Sequence, residues 1–221
     1  MDFLSQFIDL FLHIDKHLAV LLTHYGVWLY AILFAIIFCE TGLVVMPFLP
    51  GDSLLFVAGA LTASSAATGG GFSLPLLMPL LMIAAILGDN VNYSIGRRAG
   101  QHILKWGEGS RFFNRAAYEK TQAFYATHGG KTLVIARFMP LIRTFAPFVA
   151  GIGVMHYPRF FLFNVVGGVV WIGSLTLAGY WFGNLPWVQA NLTLVIFGII
   201  GLSLSPMMIA WLRHRFISNA A

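Results

Sequence analysis

The chain has 221 residues, of which 58% are hydrophobic and only 10% are charged, and its mean hydropathy is +0.81. A soluble globular domain carries about 25% charged residues, so eight acidic and thirteen basic side chains are too few to cover a water-facing surface. The composition excludes a soluble enzyme, a disordered chain and a coiled coil, and it predicts an all-α integral membrane protein. The net charge of +5 indicates basic residues near anionic lipid rather than a nucleic-acid partner.

The first 24 residues have the pattern of an amphipathic helix that lies at the membrane interface. Apolar side chains recur there at three- and four-residue spacing from Phe3 to Leu22, and polar residues fill much of the opposite face. His13 and His17 lie one turn apart on this helix, but no further ligands cluster with them, so no metal site is predicted. The sequence also lacks nucleotide-binding fingerprints, and no cofactor is expected.

Charge-poor apolar segments follow the N-terminal helix, and a full transmembrane helix needs about 20 such residues. Four segments are predicted to be full transmembrane helices: residues 26–47, 74–95, 159–183 and 188–212. Two other apolar segments, 48–65 and 132–156, are interrupted by proline and glycine. The segment 97–131 between the two halves is polar and basic.

The distribution of basic residues predicts the topology. The basic segment 97–131 and the C-terminal tail with Arg213 and Arg215 should both be cytoplasmic. Two spans already connect them, so segment 132–156 cannot cross the membrane and is predicted to be re-entrant. Segments 48–65 and 132–156 share the short sequence motifs Phe-x-Pro and Phe-Val-Ala-Gly. We therefore expect two opposed re-entrant hairpins in an inverted repeat, with halves 26–95 and 132–212 and both termini in the cytoplasm.

Four charged residues lie in apolar surroundings: Glu40, Asp52, Arg137 and Arg143. Each would cost ~2.5–3.5 kcal/mol at the centre of a bilayer, so these side chains must pair, face water or hold a ligand. Guanidinium groups fit phosphate with two parallel hydrogen bonds and stay charged. Carboxylates in a dry site can exchange protons near neutral pH, so protonation of either acid could release an arginine for an anionic ligand.

Internal salt bridges that only fix the docking of the hairpins are the alternative interpretation of these charges. Asp89 lies about two turns before Arg97 and either caps the second span or faces the cavity. The sequence contains no hydrolase, metalloprotease or nucleotide-binding signature, which argues against an enzyme. The six tryptophans mostly suit anchoring at the membrane interface: Trp28, Trp106, Trp171, Trp181, Trp187 and Trp211.

Three motifs carry a family resemblance that covers about residues 26–183. They are Glu40-Thr41-Gly42 with Pro47-Phe48-Leu49-Pro50-Gly51-Asp52, then Gly88-Asp89-x-x-x-Tyr93-x-x-Gly96-Arg97, and Gly130-Lys131 with Ala136-Arg137-Phe138-x-Pro140-x-x-Arg143-x-Phe145-x-Pro147 and Ala150-Gly151. In these motifs the chain resembles the DedA family of bacterial inner-membrane proteins, within the wider VTT (SNARE-associated) superfamily.

The resemblance implies a fold with two opposed re-entrant hairpins and a role in lipid translocation. The expected substrate is undecaprenyl phosphate or a related anionic phospholipid, moved between leaflets in a process linked to the proton-motive force and to cell-envelope biogenesis. The family's essential acids correspond to Glu40 and Asp52, which would couple protons, and its arginines correspond to Arg137 and Arg143, which would bind the phosphate headgroup. Accessory positions are expected at Asp89, Pro50, Gly51, Pro140 and Pro147.

Two other functions remain open at the level of the sequence. A small-cation or drug/proton antiporter would use the same acids for its cargo and the arginines for structure. A non-transporting membrane scaffold would need neither. The expected partners are therefore an anionic lipid, protons and the surrounding membrane, without nucleic acid, and the sequence is compatible with a homo-oligomer.

Overall fold

The computed structural model describes residues 26–43, 51–67, 72–105, 129–153 and 155–191, together with residues 194, 195, 197–199 and 201. Within these ranges the regular elements are all helices, which confirms the all-α class. They are α1 Trp28–Gly42, α2 Gly51–Ala67, α3 Leu74–Lys105, α4 Lys131–Ala136, α5 Pro140–Ile152, α6 Tyr157–Phe182 and α7 Pro186–Ala190. The predictions for residues 1–24, 106–128 and 202–212 lie outside the described residues.

Two helices in the described part of the chain are long and apolar enough to cross a membrane: Leu74–Gly100 of α3 and Tyr157–Phe182 of α6. The exposed face of α3 carries a large apolar side chain at every fourth position. These residues are Ile83, Leu87, Val91 and Ile95, which are between 40 and 51% exposed. Such a stripe is unfavourable in water and matches a lipid-facing surface.

One compact unit comprises the described parts of residues 1–33, 50–79 and 172–221. It holds all of α2, the beginnings of α1 and α3, the end of α6, and α7. α2 and α6 approach closely because glycines face the partner backbone: a methyl group at Gly59 would overlap the Thr176 carbonyl, and one at Gly179 would overlap the Phe56 carbonyl. Small residues at helix contacts are typical of membrane proteins, where close packing replaces a hydrophobic driving force.

The other compact unit comprises the described parts of residues 34–49 and 80–171. It holds the end of α1, most of α3, all of α4 and α5, and the larger part of α6. Its apolar core is a cluster of buried side chains: Tyr93, Leu133, Ala136, Ala146, Ala150, Met155 and Phe160. α3 packs on α5 through Gly96, where a methyl group would overlap the Phe148 carbonyl, and through Gly151, where it would overlap the Tyr93 carbonyl.

The helix boundaries differ from the predicted segments in four places, one of which is α7, because this helix ends at Ala190 inside the predicted span 188–212. α1 ends at Gly42, so its 15 residues span about 22 Å at 1.5 Å per residue and fall short of the predicted span 26–47. α2 continues through Gly59, which was expected to interrupt it, because that glycine provides the close contact with α6. α3 continues to Lys105, ten residues beyond the predicted end at residue 95, because Gly96 and Gly100 still pack on α5.

Candidate functional site

A break between α4 and α5 positions both arginines inside the second unit. Arg137 caps α4, Met139 adopts an extended conformation, and Pro140 begins α5. Proline suits this first helical position because its missing N–H has no partner in the first turn of a helix. The Arg143 backbone N–H donates to the Met139 carbonyl at 2.9 Å. The break therefore places two guanidinium side chains in the interior, where their residues are only 5 and 6% exposed.

Arg143 forms an ion pair with Glu40 from the last turn of α1. The Arg143 Nη2 atom donates to Oε1 of Glu40, and Glu40 is fully buried. The residues are 103 positions apart in the chain, so this contact joins the two halves of the sequence within one compact unit. Because both residues are buried, removal of either partner should destabilise the interior.

Arg137 forms a second ion pair, with Asp89 of α3. Its Nη2 atom donates both to Oδ2 of Asp89 and to Oδ1 of Asn164 on α6. Asn164 is itself fixed, because its side-chain amide donates to the Ile86 carbonyl at 3.1 Å. A methyl group at Gly167 would lie 2.9 Å from Cδ and Nε of Arg137, so the arginine stem lies directly against the α6 backbone.

Trp171 connects the two ion pairs. The ring is fully buried, and its centroid lies 4.8 Å from Cζ of Arg143 and 5.9 Å from Cζ of Arg137. An aromatic ring attracts a guanidinium group by about 0.5–2 kcal/mol, with the larger value for desolvated sites. The prediction that Trp171 anchors the protein at the membrane interface is wrong, because a ring in that role would be partly exposed. Trp28, Trp181 and Trp187 are 63–71% exposed and remain compatible with it.

Asn92 braces the helices that carry Glu40 and Arg143. Its side-chain amide donates to the Thr41 carbonyl of α1 at 3.1 Å and to the Thr144 carbonyl of α5 at 2.7 Å. These carbonyls belong to the residues that directly follow Glu40 and Arg143. The Asn92 side chain therefore fixes the separation of the two backbones on which the ion pair depends.

Close approach of α1 and α3 brings the two carboxylates into the same unit. A methyl group at Gly88 would overlap Oγ1 of Thr41, and one at Gly42 would lie 3.3 Å from Cα of Gly88. Glycine at both positions therefore allows the backbones to touch next to Glu40 and Asp89. The resulting site contains two acids, two arginines, one tryptophan and two asparagines, all buried.

The other predicted site residues are Asp52, Gly51, Pro50 and Pro147. Asp52 is buried in the first turn of α2 and belongs to the first unit. Gly51 begins α2, and Pro50 lies outside the described residues. Pro147 lies inside α5 without interrupting it, although it was expected to break the segment. The roles predicted for these residues stay predictions.

Sequence reasoning missed three members of the site: Asn92, Asn164 and Trp171. Asn92 follows Asp89 by three positions and so shares its helix face, which is the signal that could have identified it. Asn164 and Trp171 stand seven positions apart, which again places them on one helix face. Neither is charged, and their spacing to Arg137 and Arg143 along the chain gives no indication of contact.

Comparison with known proteins agrees with the motifs. A family model for the VTT domain matches residues 49–181. Protein DedA of Escherichia coli strain K12 is 53% identical over 215 residues, which cover 97% of this chain and 96% of that protein. The chain belongs to the DedA family. The resemblance drawn from the sequence motifs is thereby confirmed.

Other proteins show similarity to this chain over shorter regions. An uncharacterized membrane protein of Mycobacterium leprae is 45% identical over 187 residues, covering 84% of this chain and 81% of the relative. The inner membrane protein YqjA of Escherichia coli strain K12 is 36% identical over 160 residues, which cover 72% of this chain and 69% of that protein. No solved structure matches the chain. The family and the apolar helices together identify an inner membrane protein.

Proposed function

We propose that this protein is a proton-motive-force-linked lipid transporter, which moves undecaprenyl phosphate or a related anionic phospholipid between the leaflets of the inner membrane. The observation that carries the proposal is the arrangement of Arg137 and Arg143, which are buried beside one tryptophan and each held by a carboxylate. Buried ionisable residues in membrane segments are expensive and usually serve transport. This function supports envelope biogenesis and involves no catalysed reaction.

Phosphate and carboxylate compete for the same donors of a guanidinium group. A carboxylate is planar and a phosphate is tetrahedral, but each presents two oxygens that accept two parallel N–H hydrogen bonds from arginine. A phosphate headgroup can therefore replace a carboxylate at Arg143 or Arg137 without leaving the guanidinium unsatisfied. The isoprenoid tail would stay in the lipid while the headgroup passes the arginines.

Proton binding provides the switch in this proposal. When Glu40 binds a proton, its attraction for Arg143 is lost and the guanidinium becomes available to an anion. When the proton leaves, the carboxylate competes with the anion again and favours its release. Asp52 is proposed to couple protons in the first unit, as its counterpart in the family motif suggests. Either step links the movement of an anion to the movement of protons.

We further propose the topology that the sequence predicts: an interfacial helix 1–24, four transmembrane helices, two opposed re-entrant hairpins and cytoplasmic termini. One feature of the described residues supports it. The 13-residue α5 follows a break in the backbone, and irregular backbone in a membrane requires a protein-lined or wet environment.

Leaflet exchange of undecaprenyl phosphate in proteoliposomes tests the proposal. The wild type should exchange the lipid and respond to a pH gradient, and Arg143→Gln should abolish exchange while the protein remains folded. Arg159→Gln is the matched control, because Arg159 carries the same charge on an exposed part of α6. Exchange that persists in Arg143→Gln would refute the phosphate site. Exchange that ignores the gradient would indicate a scramblase.

Two further variants separate transport from the alternative functions. A cation/proton antiporter would tolerate Arg143→Gln and lose activity with Asp52→Asn. A purely structural ion pair would tolerate reversal, so Glu40→Arg combined with Arg143→Glu would restore full exchange. We expect the reversed pair to restore folding without transport, because the proton-binding group and the phosphate-binding group would have exchanged places.

A further inference from the structure

We infer that Asp89 is the proton-binding counter-ion that controls Arg137. The inference rests on the proposed function and refines it, since the family motif assigns proton coupling to Glu40 and Asp52. In the structure each arginine has its own carboxylate: Arg143 has Glu40, and Arg137 has Asp89. The two pairs then act as two separate proton-controlled anion sites beside Trp171.

The geometry around Asp89 supports a role beyond helix capping. Asp89 lies in the interior of α3, 15 residues from its first residue and 16 from its last, so it caps neither end. It is 5% exposed, and its carboxylate accepts from Arg137 across 48 positions of sequence. The Asp89 carboxylate therefore neutralises the Arg137 guanidinium and does not cap a helix.

The charged groups that act on Asp89 come from the other helices of the same unit. Arg137 is the direct partner, and Arg143 is the other cation whose field reaches it. Glu40 is paired with Arg143. Asn164 also accepts from Arg137, so the guanidinium keeps one uncharged acceptor when the carboxylate is neutralised. That second acceptor holds Arg137 in place while the position of Asp89 becomes available to a phosphate oxygen.

The proposed step balances in charge and in protons. A proton from the aqueous phase binds the Asp89 carboxylate, the Arg137–Asp89 hydrogen bond breaks, and the released Nη2–H donates to a headgroup oxygen. Release of the anion reverses the sequence, since the proton leaves and the carboxylate accepts from Arg137 again. One proton therefore accompanies each use of this arginine, in addition to any proton taken up by Glu40.

The pH dependence of binding measures this proton directly. The slope of log Kd against pH equals the number of protons exchanged on binding, so loss of one proton site lowers the slope by up to one unit. Undecaprenyl phosphate is titrated into wild type and Asp89→Asn between pH 6 and 8. We expect the change in Kd over that range to shrink by up to about 100-fold in Asp89→Asn.

Three controls keep the result interpretable. The headgroup titrates equally in all variants, so its contribution cancels in the comparison. Asp89→Glu keeps a carboxylate and should retain the wild-type slope. Ser94→Ala on an exposed position of α3 should change nothing, since the Ser94 hydroxyl only donates to the Asn90 carbonyl of its own helix. An unchanged slope in Asp89→Asn, with tight binding preserved, would show that the Arg137–Asp89 pair is structural and would overturn the inference.

Infrared difference spectroscopy decides the question without the lipid. Acidification of the ligand-free wild type should produce a protonated carboxyl band that Asp89→Asn removes, Asp89→Glu shifts and Ser94→Ala retains. If Asp89→Asn fails to fold, the shift in Asp89→Glu identifies the band instead. A band with no contribution from residue 89 overturns the inference. Failure of the wild type to bind undecaprenyl phosphate refutes the proposed substrate alone, because the infrared result still determines whether Asp89 binds the proton.

Discussion

Separation of the Glu40–Arg143 pair should destabilise the protein by an amount that depends on which partner is removed. Glu40→Gln leaves the Arg143 guanidinium in a site where that residue is only 6% exposed. A guanidinium cannot lose its proton under ordinary conditions, so it cannot escape the cost of burial. Loss of one partner of a buried pair costs about 3–5 kcal/mol, a large share of the ~5–15 kcal/mol that stabilises a typical fold.

Arg143→Gln should behave differently because the remaining Glu40 carboxylate can bind a proton. Protonation of a carboxyl group with an ordinary pKa of about 4.3 costs ~3.7 kcal/mol at pH 7 and ~1.6 kcal/mol at pH 5.5. The destabilisation by Arg143→Gln cannot exceed the free energy of protonating Glu40. It should therefore be about 2 kcal/mol smaller at pH 5.5 than at pH 7. The cost of Glu40→Gln should be the same at both, because Arg143 stays charged.

The double variant Glu40→Gln/Arg143→Gln completes the cycle. Replacement of both members of a buried ion pair is often close to neutral, so the double variant should be at least ~2 kcal/mol more stable than Glu40→Gln. Reversible unfolding in mixed micelles or bicelles at pH 7 and 5.5 measures all three variants. If Glu40→Gln cost less than about 1 kcal/mol at both pH values, Arg143 would be hydrated or held by another group, contrary to the pairing described here.

Three further results are expected from the surroundings of the pair. A methyl group at Gly167 would press on Arg137, whereas one at Gly168 would lie 3.3 Å from Cγ1 of Ile86. Gly167→Ala should therefore slow lipid exchange about fivefold, and Gly168→Ala should leave the rate nearly unchanged. Equal rates in the two variants would refute this. Trp171→Leu should weaken binding of the phosphate lipid by ~1–2 kcal/mol more than Trp171→Phe, which keeps an aromatic ring, in a ligand titration. Asn92→Ala removes two buried hydrogen bonds and should lower the free energy of unfolding by ~2–3 kcal/mol, and a loss below ~0.5 kcal/mol would contradict its bracing role.

The sequence predicted the class of the protein and most of its chemistry. A composition with few charges leaves the bilayer as the only suitable solvent, and four buried charges have to serve a purpose there. Arg137 and Arg143 were expected on an interrupted segment, and the structure places them on either side of a break. The family followed from three motifs whose spacing is specific.

Pairing could not be read from the sequence. Asp52 and Asp89 are both acids beside apolar residues, and nothing in the linear order shows which of them meets Arg137. The choice depends on the close approach of helices, and that approach depends on glycines whose effect is visible only in three dimensions. The burial of the Trp171 ring was missed because tryptophan is enriched at membrane interfaces, although Trp171 lies at the middle of the predicted span 159–183.

The face of α3 that carries Asp89 shows how the bilayer changes the usual meaning of a helical pattern. In a soluble protein the large apolar side chains of an amphipathic helix point inward. In α3 the large apolar residues Ile83, Leu87, Val91 and Ile95 are exposed, and beside the buried Tyr93 ring the buried face from residue 85 onward is small or polar: Ala85, Gly88, Asp89, Asn92, Gly96 and Gly100.

Apart from Ala85, each member of this stripe contributes either close backbone contact or a hydrogen bond, since burial of apolar surface contributes little where lipid is the alternative environment. Gly88 brings α1 close, Gly96 and Gly100 bring α5 close, and Asn92 bonds to both helices. Asp89 lies among these contacts and holds Arg137. The close packing that stabilises the helix contacts in lipid therefore also positions the buried charged side chains near one another. The stability and the chemistry of this site have a common structural origin.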